Sequence, residues 1–372
     1  MLKILGGSDG GGVRVCESTF IREFKGYGIE VEGVIIGKDK ASYKNEIKCI
    51  DEVMSNVPSF GGSPVEKFHC VLRNFYESYW ITKDIVTKVK YSNKYDCVFV
   101  RRPRLLNIAG MLGLKLKIPV VWHLPDAIKS IFGRWYFQSI CRIWRITPVA
   151  NSHYTKSTLG LRDTSVVYPG FSEERLKKKN NKNFRRELEI QDEAPVYGVM
   201  SRITKDKAQD VVVKAFLDSV PFQAGAHLVL AGGPTKGRFF NRLEGLASQG
   251  QGRVHLIGHV NHVASFYEML NVAVNGRRNA EPFGISIAEA MASGVPVLAY
   301  YLGGPSEMID DEKNGWLVDA PTKNQYKSGF DKSYGDREKW ENMGSSARRS
   351  IRDFEVSVQS RKMINLIKKL KP

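Results

Sequence analysis

Cysteine is scarce in this chain of 372 residues, which has five, all single and none in a CxxC pair. Such usage is typical of reduced, structural thiols and argues against a disulfide framework. Long apolar runs are missing too, because the most apolar stretch, residues 284–304, is interrupted by Glu289, Gly294 and Pro296 and makes a poor membrane span. The opening MLKILGGSDG lacks the basic n-region and long apolar core of a signal peptide. These absences predict a cytoplasmic protein.

Acidic residues are few relative to basic ones. There are 39 against 56, so the formal net charge is +17, which favours a polyanionic partner such as nucleic acid, a membrane surface or phosphorylated ligands. Residues 101–150 hold nine basic side chains and one acid, nearly half of that excess. The chain has no RNP pattern, zinc-finger spacing or helix-turn-helix signal. A polyanion-binding protein without catalysis would therefore rest on charge alone, and we expect no nucleic-acid partner.

Val- and Ile-rich runs bounded by turn residues alternate with helical patterns, which is typical of parallel α/β units. The almost wholly polar segment 172–194 separates two halves and reads as a solvated connection with one short helix. We expect an α/β fold with two domains, 1–171 and 172–354, and a C-terminal helix over about 355–372 that packs back on the first domain. The predicted strands are 2–5, 31–36, 97–100, 119–122, 148–151, 165–168, 196–200, 227–232, 253–258, 272–275, 296–300 and 316–318.

Three histidines, His255, His259 and His262, have spacings that a metal site would use. The segment VHLIGHV reads as a strand entering a glycine turn, and the helical HExxH context of a zinc enzyme is absent. We expect ordinary loop histidines and no bound metal.

In doubly wound folds, ligands bind at the carboxyl ends of strands, where glycine turns and helix N-termini accommodate anions. The first such turn, LGGSDGGGV, contains Gly10, Gly11 and Gly12. It matches neither the GxGxxG dinucleotide fingerprint nor the GK[ST] phosphate loop. A ligand-contacting loop and a simple flexible turn both stay open.

A richer stretch covers residues 275–309. Its pattern predicts a short helix that starts near Ser286 and stops at Gly294, with an N-terminus suited to a pyrophosphate. Glu289 has two interpretations: it closes a capping box with Ser286, or it accepts hydrogen bonds from ribose hydroxyls. Glu281, eight residues earlier, is either a solvated loop acid or a contact for a second polyol ring.

Two cations follow the first strand of the second half. Arg202 and Lys207 lie five residues apart on a strand-to-helix loop. There they would neutralise an oxyanion and stabilise a leaving group. The alternative is a solvated basic loop.

These segments resemble the retaining GT-B glycosyltransferases, and are most like glycosyltransferase family 4, the glycosyl transferases group 1. The resemblance rests on EPFGISIAEAMASGVPV, where Glu281 and Glu289 form an E-x7-E arrangement, on SRITKDKAQD with Arg202 and Lys207, and on LVLAGG with VHLIGHV. A weaker set in the first half comprises the glycine turn, WHLPD around His123, ANSHYTKSTL and VVYPGF.

The resemblance implies two Rossmann-like domains that face each other across a cleft, with the donor on the C-terminal domain and the acceptor on the N-terminal one. It implies that Glu289 holds the ribose and Glu281 contacts the transferred sugar. The other implied donor contacts and reaction-centre residues are Arg202 and Lys207 on the diphosphate, backbone N–H groups at Phe283, Gly284 and Ile285, backbone around Val260 beside the base, the Gly10, Gly11 and Gly12 turn over the phosphates, and His123 at the reaction centre.

The implied reaction moves a hexosyl-type sugar, with retention, from a UDP or GDP sugar to a glycan or lipid-linked acceptor in cell-surface polysaccharide or glycolipid synthesis. We expect no cofactor and no metal, because the chain has no D-x-D motif. Arg277 and Arg278 stand where many relatives have Pro-Ser, and Ser201 and Ala208 replace common glycines, which leaves the sugar identity open. A GT-B epimerase or phosphorylase is the alternative within the fold.

Residues 128–146, IKSIFGRWYFQSICRIWRI, alternate Arg and Lys with aromatic side chains. They read either as a core helix with snorkelling cations or as an amphipathic surface that binds an anionic membrane. In the second case the protein would contact the inner face of the membrane peripherally, where a lipid-linked acceptor waits.

Overall fold

The computed structural model describes residues 1–6, 12–36, 47–53, 57, 64–89, 95–177 and 182–370. The chain divides into two compact units, one formed by Met1–Pro169 with Val356–Pro372 and the other by Gly170–Glu355. The first unit thus ends at residue 169, two residues before the predicted domain boundary at 171.

The first unit alternates strands and helices, and its sheet has the order β3-β2-β1-β4-β5-β6-β7 with every pair parallel. Its elements are β1 (Leu2–Gly6), α1 (Gly12–Gly26), β2 (Glu32–Ile36), β3 (Lys48–Val53), α2 (Pro64–Val89), β4 (Val98–Val100), α3 (Leu106–Leu116), β5 (Val120–Leu124), α4 (Ile131–Ile143), β6 (Ile146–Ala150), α5 (His153–Leu159) and β7 (Ser165–Val166).

The core of the first unit lies between this sheet and its helices. Helix α3, LNIAGMLGLKL, is apolar on nearly every side and is buried along most of its length. Trp122 of β5 is fully buried and its indole N–H donates to the Arg101 carbonyl at 3.1 Å. The edge strand β3 was missed by the sequence analysis, because KCIDEV mixes apolar and charged residues without a clear period of two.

The second unit holds another parallel sheet, in the order β10-β9-β8-β11-β12-β13. Tyr197, Phe216 and Phe330 meet ring to ring in its core. Its elements are α6 (Glu173–Lys177), α7 (Phe184–Glu187), β8 (Val196–Met200), α8 (Gln209–Leu217), α9 (Val220–Gln223), β9 (His227–Ala231), α10 (Arg238–Ala247), β10 (Val254–Gly258), α11 (Val263–Glu268), β11 (Val272–Asn275), α12 (Ile285–Ala292), β12 (Val297–Tyr300), α13 (Pro305–Met308), β13 (Gly315–Val318), α14 (Lys323–Gly335) and α15 (Trp340–Ser350).

The last helix, α16 (Val356–Lys369), belongs to the first unit, where it packs against α1. Gln359 and Met363 are fully buried, and the Gln359 side-chain oxygen accepts a hydrogen bond from the Tyr168 backbone N–H at 3.1 Å. Among the described residues, no helix combines the length and the apolarity needed to span a bilayer.

Candidate donor site

The strand order of the second unit reverses between β8 and β11, so the loops that leave these two strands diverge at the carboxyl edge of the sheet. Such a switch point is where open α/β sheets bind ligands. The loop after β8 carries Arg202 and Lys207, and the loop after β11 carries Glu281. The sheet therefore brings together two segments that the sequence analysis selected separately.

Lys207 and Glu281 form a shielded ion pair at this edge. The Lys207 Nζ lies 2.6 Å from Glu281 Oε2, and the two side chains are 14% and 9% exposed. A terminal nitrogen of Arg277 lies 3.4 Å from the same Glu281 oxygen and 3.5 Å from a carboxylate oxygen of Asp206. Burial opposes ionisation of Glu281, but the charges of Lys207 and Arg277 outweigh it and hold its pKa below the ordinary value. Glu281 is therefore an ionised, buried acceptor, and a solvated loop acid is the wrong interpretation.

Two glycines hold the backbone of Glu281. Gly303 has φ +103°, and a Cβ added there would lie 2.2 Å from the Glu281 carbonyl oxygen. The Gly304 backbone N–H donates to that same carbonyl at 2.7 Å. Only glycine permits this approach of the chain after β12 to the loop after β11.

Helix α12 begins at Ile285 and ends at Ala292, close to the prediction, and Gly294 follows it with φ +79°. Gly284, with φ +99°, is the residue that precedes the helix. The predicted capping box between Ser286 and Glu289 is wrong, because Ser286 lies inside the helix and no side chain caps its start.

Glu289 is instead held by partners from other elements. Its Oε1 lies 2.9 Å from a terminal nitrogen of Arg175, and its Oε2 accepts a hydrogen bond from the Tyr267 hydroxyl at 3.3 Å. Burial raises the pKa of Glu289, and the Arg175 charge and the Tyr267 hydrogen bond offset part of that rise. Glu289 is therefore a buried carboxyl group of α12 whose two oxygens are oriented by Arg175 and Tyr267.

The other predicted cation, Arg202, has an exposed side chain on the loop after β8. Its backbone carbonyl accepts a hydrogen bond from the Gln209 side chain at 2.6 Å, and Ser201 Oγ accepts another at 2.8 Å. The loop is thereby fixed to the start of α8, while Lys207, and not Arg202, makes the close contact with Glu281.

The remaining predicted donor contacts are spread over both units. Val260 is half-buried two residues beyond β10, and Phe283 is buried just before α12. Gly12 is the first residue of α1, whereas Gly10 and Gly11 lie outside the described residues.

His123 belongs to the first unit and is fully buried on β5. Its Nε2 lies 2.8 Å from the Val167 carbonyl oxygen, and its ring packs beside Phe20 and Phe99. Its predicted place at the reaction centre stays a prediction.

In the described part of the chain, no group of three or more His, Cys, Asp or Glu side chains is arranged to hold a metal ion. His255 lies on β10 and contacts His227 of β9, with 3.0 Å between ring nitrogens. Burial and the His255 neighbour lower the pKa of His227 to about 4.

Three arginines of the site were not selected from the sequence. Arg175 lies in the polar connection 172–194, and no local pattern connects it with Glu289, more than a hundred residues away. Arg277 and Arg278 differ from the family pattern, which by itself predicts no contact for them. Their place directly after a strand end, beside a glutamate, was a usable signal.

Comparison with known proteins agrees with this architecture. Residues 180–350 match the family model of glycosyl transferases group 1. The solved structure of HepE from Anabaena in complex with UDP superposes with a TM-score of 0.80 at 19% identity, over 99% of this chain and all of that one.

Curated relatives are similar over shorter regions. An uncharacterized glycosyltransferase of Methanocaldococcus jannaschii, MJ1607, is 32% identical over 158 residues, which is 41% of this chain and 39% of its own. Lipopolysaccharide 1,2-N-acetylglucosaminetransferase of Salmonella typhimurium is 27% identical over 165 residues, 42% of this chain and 43% of its own. The matches span less than two thirds of these relatives' length. With its two Rossmann-like units, the chain has the GT-B fold, and its residues 180–350 are similar to the glycosyl transferases group 1 family.

Proposed function

We propose that this protein is a retaining glycosyltransferase that moves a hexosyl-type sugar from a nucleotide-diphosphate sugar to a glycan or lipid-linked acceptor. The observation that carries the proposal is the shielded ion pair of Lys207 and Glu281 at the β8/β11 switch point, with the buried carboxylate of Glu289 on the adjacent helix α12. An ionised acceptor for sugar hydroxyls stands beside a cation for phosphate, as transfer from a sugar diphosphate requires.

In this proposal Glu289 accepts hydrogen bonds from the ribose hydroxyls, and Glu281 accepts them from the transferred sugar. Lys207 and Arg202 neutralise the diphosphate, with backbone N–H groups at the start of α12. Breaking the anomeric bond leaves negative charge on the departing diphosphate, so cations and a helix N-terminus at that position lower the barrier. The acceptor hydroxyl attacks from the leaving-group face, and the departing phosphate takes its proton.

The reaction is proposed to need no metal, since the cations of the chain do the work at the phosphates. We keep His123 as a residue of the reaction centre. HepE has been solved with UDP-glucose, and the Salmonella relative is named for lipopolysaccharide synthesis. These two names support a UDP sugar as donor and a cell-surface polysaccharide or glycolipid as product.

A thermal-shift panel of UDP, GDP, ADP and CMP sugars, with and without EDTA, tests the donor. We expect the sugars of one nucleoside diphosphate to raise the melting temperature of the protein, by the same amount with and without EDTA. Glu289→Ala and Lys207→Ala should each weaken that binding, as measured by calorimetric titration. Wild-type protein that responds to no donor would contradict the proposed function, and unchanged titrations of both variants would contradict the site.

The acceptor side is proposed to lie at an anionic membrane. Helix α4 begins at Ile131, and the side chain of the preceding Ser130 caps it. The helix presents large apolar side chains to solvent: Ile131 is 84% exposed and Trp135 73%. Exposed aromatic residues continue on α2, with Phe75 stacked on Trp144 at 6.2 Å between ring centres. A solvated apolar face of this size is typical of an interaction surface.

The surroundings of that face are basic. Lys129, Arg134, Arg142 and Arg145 are exposed around α4. A second copy of the same chain, at +17, would repel it, whereas anionic lipid attracts the cations and accepts the aromatic rings at the headgroup level. The core-helix interpretation of residues 128–146 therefore explains only the inner face of α4, where Ile140 and Cys141 are buried.

Co-sedimentation with vesicles tests this surface. We expect binding to phosphatidylcholine vesicles that contain phosphatidylglycerol, weakened by salt and by a Trp135→Ser and Ile131→Ser double substitution. Val220→Ser, which alters an exposed apolar residue of the second unit, serves as the control. Sedimentation that does not depend on the anionic lipid would rule the membrane role out.

A further inference from the structure

The turn that carries Lys207 is held by Arg278, from the loop after β11. The Arg278 Nε donates to the Lys205 carbonyl at 2.8 Å, and one terminal nitrogen donates to both carboxylate oxygens of Asp210 at 2.6 and 2.8 Å. Its backbone N–H also donates to the Asp206 carbonyl at 2.9 Å. One residue therefore binds the turn both before and after Lys207.

This turn needs outside support. It is a 3₁₀ turn over Lys205–Lys207, and the next residue, Ala208, has φ +51°. The left-handed conformation is unfavourable for alanine, so the turn would relax to another conformation if nothing held it. No side chain caps the start of α8, which follows directly. The bonds from Arg278 supply the missing restraint.

The contact between Arg278 and Asp210 is shielded from water, and the chain after β11 lies close to the turn. The Asp210 side chain is 5% exposed, so water competes poorly for its carboxylate. At Gly276 an added Cβ would lie 2.7 Å from the Lys207 carbonyl oxygen, which shows that the chain after β11 touches the turn directly. A change at Arg278 is thereby transmitted to the backbone of Lys207.

We propose that Arg278 is a positioning residue, which fixes the turn so that the Lys207 ammonium group stands ready for the donor diphosphate. The inference rests on the proposed function, because it takes the diphosphate as the partner of Lys207. Arginine is needed for its rigid planar guanidinium, because one terminal nitrogen reaches both Asp210 oxygens while Nε donates to the Lys205 carbonyl. Lysine keeps the charge and loses that geometry.

A double-mutant cycle tests the proposal in the full-length protein, with UDP and GDP as probes in calorimetric titration. We expect Arg278→Ala and Arg278→Lys each to weaken binding about tenfold, because a displaced Lys207 ammonium group loses part of its charge-assisted contact with the diphosphate. We expect the double variant with Lys207→Ala to bind no more weakly than Lys207→Ala alone, because Arg278 acts only through Lys207.

Arg242→Ala is the matched control. Arg242 reaches the same Asp210 carboxylate, but at 3.6 Å and with a side chain that is 58% exposed. It should leave binding unchanged, and the melting temperatures of all variants identify any that fail to fold.

The titrations distinguish failure of the proposed function from failure of the positioning role of Arg278. Wild-type protein that binds neither nucleotide would overturn the proposed function itself. Binding by wild type, together with an Arg278→Lys variant that binds as tightly, would overturn the positioning role, because charge alone would then suffice. Additive losses in the cycle would overturn it as well, since they would show an effect independent of Lys207.

Discussion

Replacing Arg175 by alanine would leave the buried Glu289 carboxylate without its cation. The Glu289 side chain is 3% exposed, so water cannot take the place of the guanidinium. Removing one partner of a buried ion pair costs roughly 3–5 kcal/mol. Arg175 is 34% exposed, and solvent screening lowers that figure.

Protonation of Glu289 also limits how much stability the variant can lose. A carboxyl with an ordinary pKa of 4.5 can be neutralised at pH 7 for about 3.4 kcal/mol, at about 1.36 kcal/mol per pH unit. We therefore expect Arg175→Ala to lower the free energy of unfolding of the second unit by about 2–3 kcal/mol at pH 7.

The loss should depend on pH, because burial raises the pKa of Glu289 and the Arg175 charge opposes that rise. Without Arg175 the pKa of the folded Glu289 carboxyl rises further above 4.5, so the folded state keeps its proton to a higher pH than the unfolded chain. Stability of the variant then falls as the pH rises through that window. The difference from wild type is smallest near about pH 5 and largest near about pH 8.

Urea unfolding between pH 5 and 8, with hydrogen exchange of the α12 segment as the readout for the second unit, measures this difference. Lys177→Ala is the control, since Lys177 lies on the same helix as Arg175 and pairs with Glu173 in solvent. It should cause no measurable change. A loss for Arg175→Ala that is equal at every pH would refute the reasoning about Glu289.

Two further changes test the neighbouring glutamate. Gly303→Ala should abolish transferase activity, because its Cβ would fall 2.2 Å from the Glu281 carbonyl at a φ of +103°; Gly335→Ala, which has no neighbour within 4 Å, should retain activity in the same assay. Glu281→Gln should keep or tighten UDP binding, since it breaks the ion pair with Lys207, and it should lose turnover. Calorimetric titration and product formation, measured on the same variant, check both effects. Unimpaired turnover would show that Glu281 does not contact the transferred sugar.

Much of the fold could be predicted because strand runs of Val and Ile carry their own signal. Each of the twelve predicted strands corresponds to a strand of the structure. The additional strand, β3, lies at the sheet edge, where only one neighbour constrains its composition. The meeting of Lys207 and Glu281 was also within reach of the sequence, since both follow strands whose carboxyl ends share one edge.

The partners of Glu289 could not be predicted from the sequence. A capping box spans only four residues of local sequence, so Ser286 and Glu289 suggested one. The helix begins earlier, at Ile285 after Gly284, and the Glu289 carboxylate pairs with residues of other elements. Arg175 reaches Glu289 through tertiary packing, and no residue near either position encodes that pairing. Local patterns therefore predicted which segments meet at the sheet edge better than which charged side chains pair there.

The return of α16 to the first unit has a consequence for synthesis on the ribosome. The second unit is one uninterrupted segment, Gly170–Glu355, whereas the first unit lacks a helix until Val356–Lys369 have been made. The segment translated first is thus the one that completes its core last, against the usual order of domain folding. A nascent chain released just short of α16 would carry a finished second unit and an open face on α1, and would be a natural substrate for chaperones.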